Sequence, residues 1–462
     1  MRQMTKKAAA RLLAVIMIFG GLNIFLFTQP EAIALENTSD KEFRVVGYYS
    51  GDLFNEPVEK LQTDKLTHIM YAFLIPTEDG SLVPMEKPEQ LSAVVEKAHA
   101  DDCQVFIALG GWSYKGKALV STFEKIGASD QLRGNLVKNI VEFVLENDLD
   151  GVELDWEHPN EGSIKNYEKL AVELAAALKV EGKVLTAALN GAWSTTAGPE
   201  VSKLMTNTCL DSFDFICVMA YDMNNEEHSP LWFAGTSISY WLNRGVAADK
   251  IVVGLPLYAR PSWIQYRHLV DLDEENAYLD YIETKPLESY YNGLNTLREK
   301  TLIALRKAGG VMLFDVNEDT SNETSVVSMI DETIKNAGTN PGILIVINNK
   351  PLFFSETDGL GQPFLDANNR TLVPMRKPLE AIGAELTYDK KTQIVTAVKD
   401  GTTVTVIIGQ SYISVDGEIV PMDTSAIIKD DRTYIPLRAV FEGFGYTVTW
   451  SGAGKVAYAA QQ

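Results

Sequence analysis

Cysteine is scarce in this chain. Cys103, Cys209 and Cys217 are its complete set in 462 residues, too few for a disulfide scaffold, and a chain of this length needs none. Buried free thiols are expected, with a single bridge between two of them as the alternative. Histidine is also thin: there are five, with no ligand spacing, so neither a metal site nor another cofactor is expected. There is no Ser-His-Asp arrangement, no phosphate loop, and no GxGxxG after the first strand-like run. Positive charge is short too. Lys and Arg number 41 against 62 Asp and Glu, a formal net charge of -21, which excludes nucleic acid and anionic membrane as general partners. Hydrophobic residues at 46% and aromatics at 9% exclude a disordered chain.

Long apolar runs are rare as well. One stands at the N-terminus, Leu12–Phe27, preceded by Arg2, Lys6, Lys7 and Arg11 and broken by Gly20, Gly21 and Asn23. Ala32-Ile33-Ala34 then gives the small-x-small pattern of a signal-peptidase site. Residues 1–34 read as a signal peptide, and the protein as secreted or cell-surface, without membrane association once cleaved. A spanning helix wants about 20 unbroken apolar residues; an uncleaved anchor is the alternative.

What is present is periodicity. Over residues 35–340, β-like runs at Arg44–Tyr49, His68–Leu74, Gln104–Leu109, Gly151–Glu157, Val184–Leu189, Asp214–Tyr221, Ile251–Leu257 and Gly310–Val316 alternate with amphipathic stretches. The latter include Pro88–His99, Asp130–Glu146, Lys165–Lys179 and Leu297–Lys307, the last N-capped by Asn295. Eight such units predict an α/β fold, a (β/α)8 TIM barrel. Residues 341–462 differ, with 11 basic and 13 acidic side chains, so the acidity belongs to the barrel. Here Arg370-Thr-Leu-Val-Pro374-Met-Arg376 matches Arg432-Thr-Tyr-Ile-Pro436-Leu-Arg438, and the match runs on through Glu380/Glu442, Gly383/Gly445 and Tyr388/Trp450. Each copy predicts a short helix and then a hairpin, giving a smaller α+β, β-rich domain of two repeats.

The most informative segment is Asp150-Gly-Val-Glu153-Leu-Asp155-Trp-Glu157. Along a strand, Glu153, Asp155 and Glu157 share one face, about 6–7 Å apart, and Val152, Leu154 and Trp156 take the other. A solvated acidic edge does not explain the apolar reverse face. Three carboxylates inside a barrel cannot all ionise cheaply, so a proton is retained at neutral pH, as a general acid requires.

This strand resembles that of glycoside hydrolase family 18, the chitinases and related endo-N-acetylglucosaminidases, with Glu153 in place of an Asp. Four further runs resemble family strands in order: Phe106–Trp112, Met219-Ala-Tyr221-Asp222, Gly254–Arg260 and Gly310–Phe314. The resemblance implies substrate-assisted retention: Glu157 as acid and base, Asp155 orienting the 2-acetamido group, Tyr221 holding its oxygen, and Glu153 cycling protons with Asp155. Substrate contacts are implied for Tyr48, Gly111, Trp112, Met219, Asp222, Tyr258, Arg260 and Phe314. Family enzymes usually carry Ser where Ala108 stands and Trp where Phe314 stands. The lost hydroxyl at Ala108 and added methylene at Glu153 read as local repacking. Arg260 reads equally as a sugar contact or a carboxylate's partner, and His158 is expected to point away from the carboxylates. About 30 residues after Ser262 leave no room for a large wall domain, which predicts an open groove and endo cleavage.

Trp193, Trp232 and Trp263 read equally as sugar platforms or core. Residues 342–462 resemble the copper amine oxidase N-terminal domain; without a His they imply no copper site and instead a structural or adhesive role, contacting cell wall or surface. The expected activity is endo-hydrolysis of β-1,4-linked N-acetylglucosamine polymers, chitin first, with peptidoglycan, spore cortex or N-glycan as other substrates and a non-catalytic lectin as the rival class.

Overall fold

The structure is a computed structural model and describes residues 43–51, 57–223, 227–338, 341–355 and 359–461. The expected signal peptide, residues 1–34, lies outside them. None of the described helices is long and apolar enough to cross a membrane.

Eight parallel strands close a TIM barrel: β1 (Arg44–Ser50), β2 (His68–Leu74), β3 (Gln104–Gly111), β4 (Gly151–Trp156), β5 (Val184–Asn190), β6 (Ile216–Met219), β7 (Ile251–Pro256) and β8 (Gly310–Phe314). Each pairs with its chain neighbour, and β8 closes on β1. Alternation sorts their side chains. Val45, Ile69, Ile107, Val152, Leu154 and Trp156 face the helices and join the main core. Val46, Tyr48, Met70, Ala72, Phe106, Ala108, Cys217, Val252 and Met312 fill the barrel interior. The small residues among the latter leave room for Tyr48 and for the carboxylates of β4. All three cysteines are buried and free.

Four expected strand ends were too late: β7 stops at Pro256 and β8 at Phe314, and two others bear on the site. β4 stops at Trp156 and β6 at Met219, so Glu157 and Tyr221 stand on the loops that leave the barrel mouth. The helix expected to be capped by Asn295 is Leu294–Lys307 with Gly293 as its cap. A Cβ at Gly293 would lie 2.5 Å from the Leu279 carbonyl oxygen, and Asn295 instead donates to Asn349 at 3.0 Å. The stretch after Ser262 is not bare loop. It holds the helix Tyr266–Leu272 and a small antiparallel sheet of Arg260–Pro261, Ser289–Tyr290 and Tyr281–Ile282.

The C-terminal residues build a separate apolar core, including Val373, Leu379, Val404, Ile435, Val440 and Phe441. Its repeats pair directly. Thr371–Pro374 and Arg432–Pro436 run antiparallel, with Leu372 opposite Pro436 and Pro374 opposite Tyr434, and each leads into a short helix, Arg376–Ala381 or Leu437–Gly443. A five-stranded meander follows the first copy, while the second ends in a sheet shared with Leu344–Ile347.

Helix Leu294–Lys307 joins this module to the barrel. Leu302 packs with Leu344, Val346 and Val456. The Glu299 carboxylate accepts hydrogen bonds from the Tyr458 hydroxyl at 2.5 Å and from the Ser451 hydroxyl. Arg306 donates to the carbonyls of Pro341, Gly342 and Gly454 at 3.0–3.1 Å. The helix is therefore buried on the barrel side and on the module side.

Candidate active site

β4 carries the carboxylates into the barrel as its alternation requires. Glu153 is fully buried and Asp155 nearly so, while Glu157 is half-buried at the mouth. Glu153 accepts from the Tyr48 hydroxyl at 2.9 Å and from the hydroxyl of Thr186, and the Cys217 thiol also hydrogen-bonds to it. In register, Glu153 lies between Ala108 of β3 and Thr186 of β5. The hydroxyl that the β3 neighbour lacks is thus supplied from the opposite strand, and the thiol of β6 adds a third donor. Thr186 and Cys217 were missed in the sequence, where only strand parity marks them as facing inward.

Burial pushes the Glu153 carboxyl up to about 7, although its hydroxyl and thiol donors oppose the shift. Burial, then the charges of Glu157 and Glu153, holds Asp155 well above the usual carboxylate range. Asp155 Oδ1 has no hydrogen-bond partner among the described residues. Glu157 is pushed up to about 7 by burial and then by the charge of Asp222. Burial and mutual repulsion therefore keep the three carboxyls from all ionising together near neutral pH, in one shaft that opens at Glu157.

His158 is turned back toward the acid. Its Nε2 lies 3.5 Å from Glu157 Oε2 and 3.4 Å from Asn190 Nδ2, and its ring is 6.2 Å from that of Trp112. The expectation that it points away fails because β4 has already ended, so alternation no longer governs residue 158. Burial lowers its pKa, which favours the neutral imidazole.

Phe314, at the end of β8, sits among three tyrosines: Tyr48 at 5.5 Å, Tyr221 at 6.1 Å and Tyr258 at 6.2 Å between ring centroids. Tyr221 stacks on it, and the Tyr221 hydroxyl reaches Met312 Sδ at 4.0 Å. Gly254 makes this stack possible, since a Cβ there would lie 2.7 Å from the Tyr221 ring. Tyr258 stacks on Trp263 at 5.4 Å and 9°. Arg260 lies 4.0 Å over the Trp263 ring and pairs with Asp222 at 2.9 Å, so the carboxylate partner expected as one of two readings is found. Asp222 also hydrogen-bonds to the Tyr258 hydroxyl, and its N–H donates to His228 Nδ1 at 3.3 Å.

Lys300, fully buried, braces this side from behind. Its ammonium donates to Ser229 O, Ser229 Oγ and Asn292 Oδ1 at 2.6–2.7 Å, and Ser229 donates onward to Ala220 O. Met219 is half-buried at the end of β6. Gly111 is buried against the Phe73 ring, with φ of +84° turning the chain out of β3. Trp112, which follows, is 63% exposed, and Trp193, Trp232 and Trp263 are exposed too. Core packing is therefore excluded for all four. The peptide bonds Ala72–Phe73, Glu157–His158 and Phe314–Asp315 are cis.

The mouth thus combines a protonated carboxyl, an unsatisfied carboxylate below it and a ring of aromatic faces. That set suits protonation of a leaving group beside a sugar. Comparison with known proteins agrees. Residues 44–319 match the family described as glycosyl hydrolases family 18, and residues 346–459 the copper amine oxidase N-terminal domain. An endochitinase of Manduca sexta is 28% identical over 271 residues, covering 50% of this chain and 47% of that protein. A probable endochitinase of Caenorhabditis elegans is 31% identical over 231 residues, covering 42% and 36%. The chain thus spans less than half the length of either relative. A family 18 chitinase of Flavobacterium johnsoniae superposes with a TM-score of 0.55 at 26% identity, over 63% of this chain and 94% of that one. With five strand motifs in order, a closed barrel and a family match over most of that barrel, the chain belongs to glycosyl hydrolases family 18.

Proposed function

We propose that the protein is an exported endo-glycosidase that hydrolyses β-1,4-linked N-acetylglucosamine polymers, chitin first, by substrate-assisted catalysis. The observation that carries this reading is the Asp155–Glu157 pair: a half-buried carboxyl that keeps its proton to about pH 7, above a buried carboxylate oxygen with no partner. Glu157 donates its proton to the glycosidic oxygen as the C1–O bond breaks. The 2-acetamido carbonyl oxygen closes on C1, giving an oxazolinium ion, with no ester to the enzyme. Asp155 accepts the acetamido N–H and offsets the positive charge, and the Tyr221 hydroxyl holds the acetamido oxygen. Water then attacks C1 as Glu157 takes its proton back, and the β-configuration is retained. Glu153, held by Tyr48, Thr186 and Cys217, exchanges protons with Asp155 between the two halves.

The exposed Trp112 serves as a platform for a neighbouring sugar ring, while Arg260, lying over Trp263, is held ready by Asp222. Export follows from the reading of residues 1–34, and the C-terminal module contacts wall or surface polysaccharide. The test incubates wild type and Glu157→Gln with soluble N-acetylglucosamine oligomers, N-glycans and cortex fragments, following reducing ends and product anomers by NMR. Wild type releases β-anomers first, and the variant is slower by about 10²–10⁴-fold. Absence of cleavage by both proteins on every substrate would overturn the proposal in favour of a lectin.

A further inference from the structure

The two repeats of the C-terminal module are built alike but finished differently. Tyr388 faces Val395 across its hairpin, and Trp450 faces Ala457 at the matching place in the second copy. Directly opposed residues share a face of the sheet, so replacing Val by Ala uncovers space beside the larger aromatic. There a cavity of about 180 Å³ opens, lined by Trp450, Ala457, Arg370, Asp423, Thr424 and Arg438. Trp450 is 37% exposed.

Its polar groups are held in place. Arg370 is ion-paired with Asp423, and Thr424 donates to Asp366 at 2.5 Å. The same aspartate fixes the preceding loop by accepting from the N–H groups of Asn368 and Arg370, each at 2.8 Å. The matching arginine of the second copy, Arg432, is used differently: it donates to the carbonyls of Gly359 and Asp430. The cleft therefore joins the indole of the second copy to a guanidinium–carboxylate pair begun by the first copy's Arg370, with a hydroxyl beside them.

We infer that this cleft is a carbohydrate-binding site that takes one pyranose ring, stacked on Trp450, of an N-acetylglucosamine-containing polysaccharide. The stacking and flanking polar groups carry the sugar assignment; the choice of polymer rests on the function proposed above. The cavity is smaller than the roughly 300–1,000 Å³ of pockets that enclose a whole drug-sized ligand, so it grips one ring of a chain and binds weakly alone. Its use comes from linkage. Because the module is docked to the barrel through Glu299, Leu302 and Arg306, a polymer held at Trp450 keeps the enzyme at high effective concentration on its substrate.

The experiment uses the full chain in the Glu157→Gln background, so that substrate persists. Partition onto insoluble chitin, onto protein-stripped peptidoglycan sacculi and onto untreated sacculi is measured by depletion. Trp450→Ala and Ala457→Val, the latter restoring the first copy's partner, each weaken binding to chitin or stripped sacculi about 3- to 10-fold. Melting curves verify that each variant is folded, and Ala457→Val carries the test if Trp450→Ala is not. Unchanged binding of folded variants to both polysaccharides overturns the inference. Weakening seen only on untreated sacculi overturns it in favour of a protein partner. Turnover of soluble oligomers by the wild type reads the barrel separately, so a failure of the proposed activity and a failure of this site are distinguishable.

Discussion

The barrel and the C-terminal module treat polar groups in opposite ways. Among the described residues, every buried polar or charged side chain falls between Ser50 and Thr333, including Glu153, Asp155, Lys300, Asp315 and Glu318. Residues 341–461 contribute none: their core is Val, Ile, Leu, Ala, Phe and Tyr. An apolar core is enough to stabilise a domain of either size. Burying carboxylates opposes stability unless something else requires them. The contrast therefore locates the chemistry in the barrel, and it leaves the module to act through its surface.

The strongest way to break this contrast is to make the barrel more like the module. Asp155→Asn removes a buried ionisable carboxyl whose Oδ1 lacks a partner among the described residues. Turnover of N-acetylglucosamine oligomers falls about 10²–10⁴-fold, while the thermal midpoint at pH 7 rises. A variant that keeps its activity and melts lower would refute the idea that Asp155 is retained at the expense of stability.

A second measurement uses pH. Glu153 titrates near 7 in the folded protein and near 4.3 when unfolded. Between those values the folded state holds a proton that the unfolded state has released. Stability is therefore complete below about pH 4.3 and declines as pH rises through 7, by up to about 3 kcal/mol from this group. Denaturant titrations at pH 5 and pH 7.5 read the slope, and Glu153→Gln makes it shallower, Asp155 and Glu157 supplying part of the rest. Lys300 is lowered to about 7 by burial and acts in the reverse sense, only above that pH. An unaltered slope in Glu153→Gln would remove Glu153 as its source.

The smallest effect lies where the two regions meet. Glu299→Ala leaves the Tyr458 and Ser451 hydroxyls without their acceptor and lowers stability by about 1–3 kcal/mol. Melting and limited proteolysis around residues 338–343 follow it. If neither changes, the Glu299 contacts do not hold the module in place.

Much of this was legible in the residues themselves. Period-two runs placed all eight barrel strands, and the shared parity of Glu153, Asp155 and Glu157 put them on one face. The repeat beginning at Arg370 and Arg432 foretold two copies, which the structure pairs through Val373 and Ile435. What escaped were relations between strands and events at their ends. Thr186 reaches Glu153 because parallel register brings β5 alongside β4, and Cys217 reaches it from β6 across the closed interior; no local pattern encodes either. His158 was misjudged because alternation was carried past the last paired residue. Helix Leu294–Lys307 was expected only as one more amphipathic stretch from Leu297, which says nothing of what covers Arg298, Glu299 and Lys300. All three are buried: Glu299 against Ser451 and Tyr458 of the module, Lys300 against Ser229 and Asn292 of the barrel.

That doubly covered helix limits how these domains can be recombined. A linker of some dozen flexible residues would let evolution exchange one appendage for another without touching the enzyme. Here Glu299, Leu302 and Arg306 are fitted to one particular neighbour, and Gly454 is small because Glu299 occupies the space a side chain would need. Transplanting the module onto a different barrel means transplanting this helix face with it. Cutting the pair apart would expose Leu302 and leave Glu299, on that same helix, without its two donors.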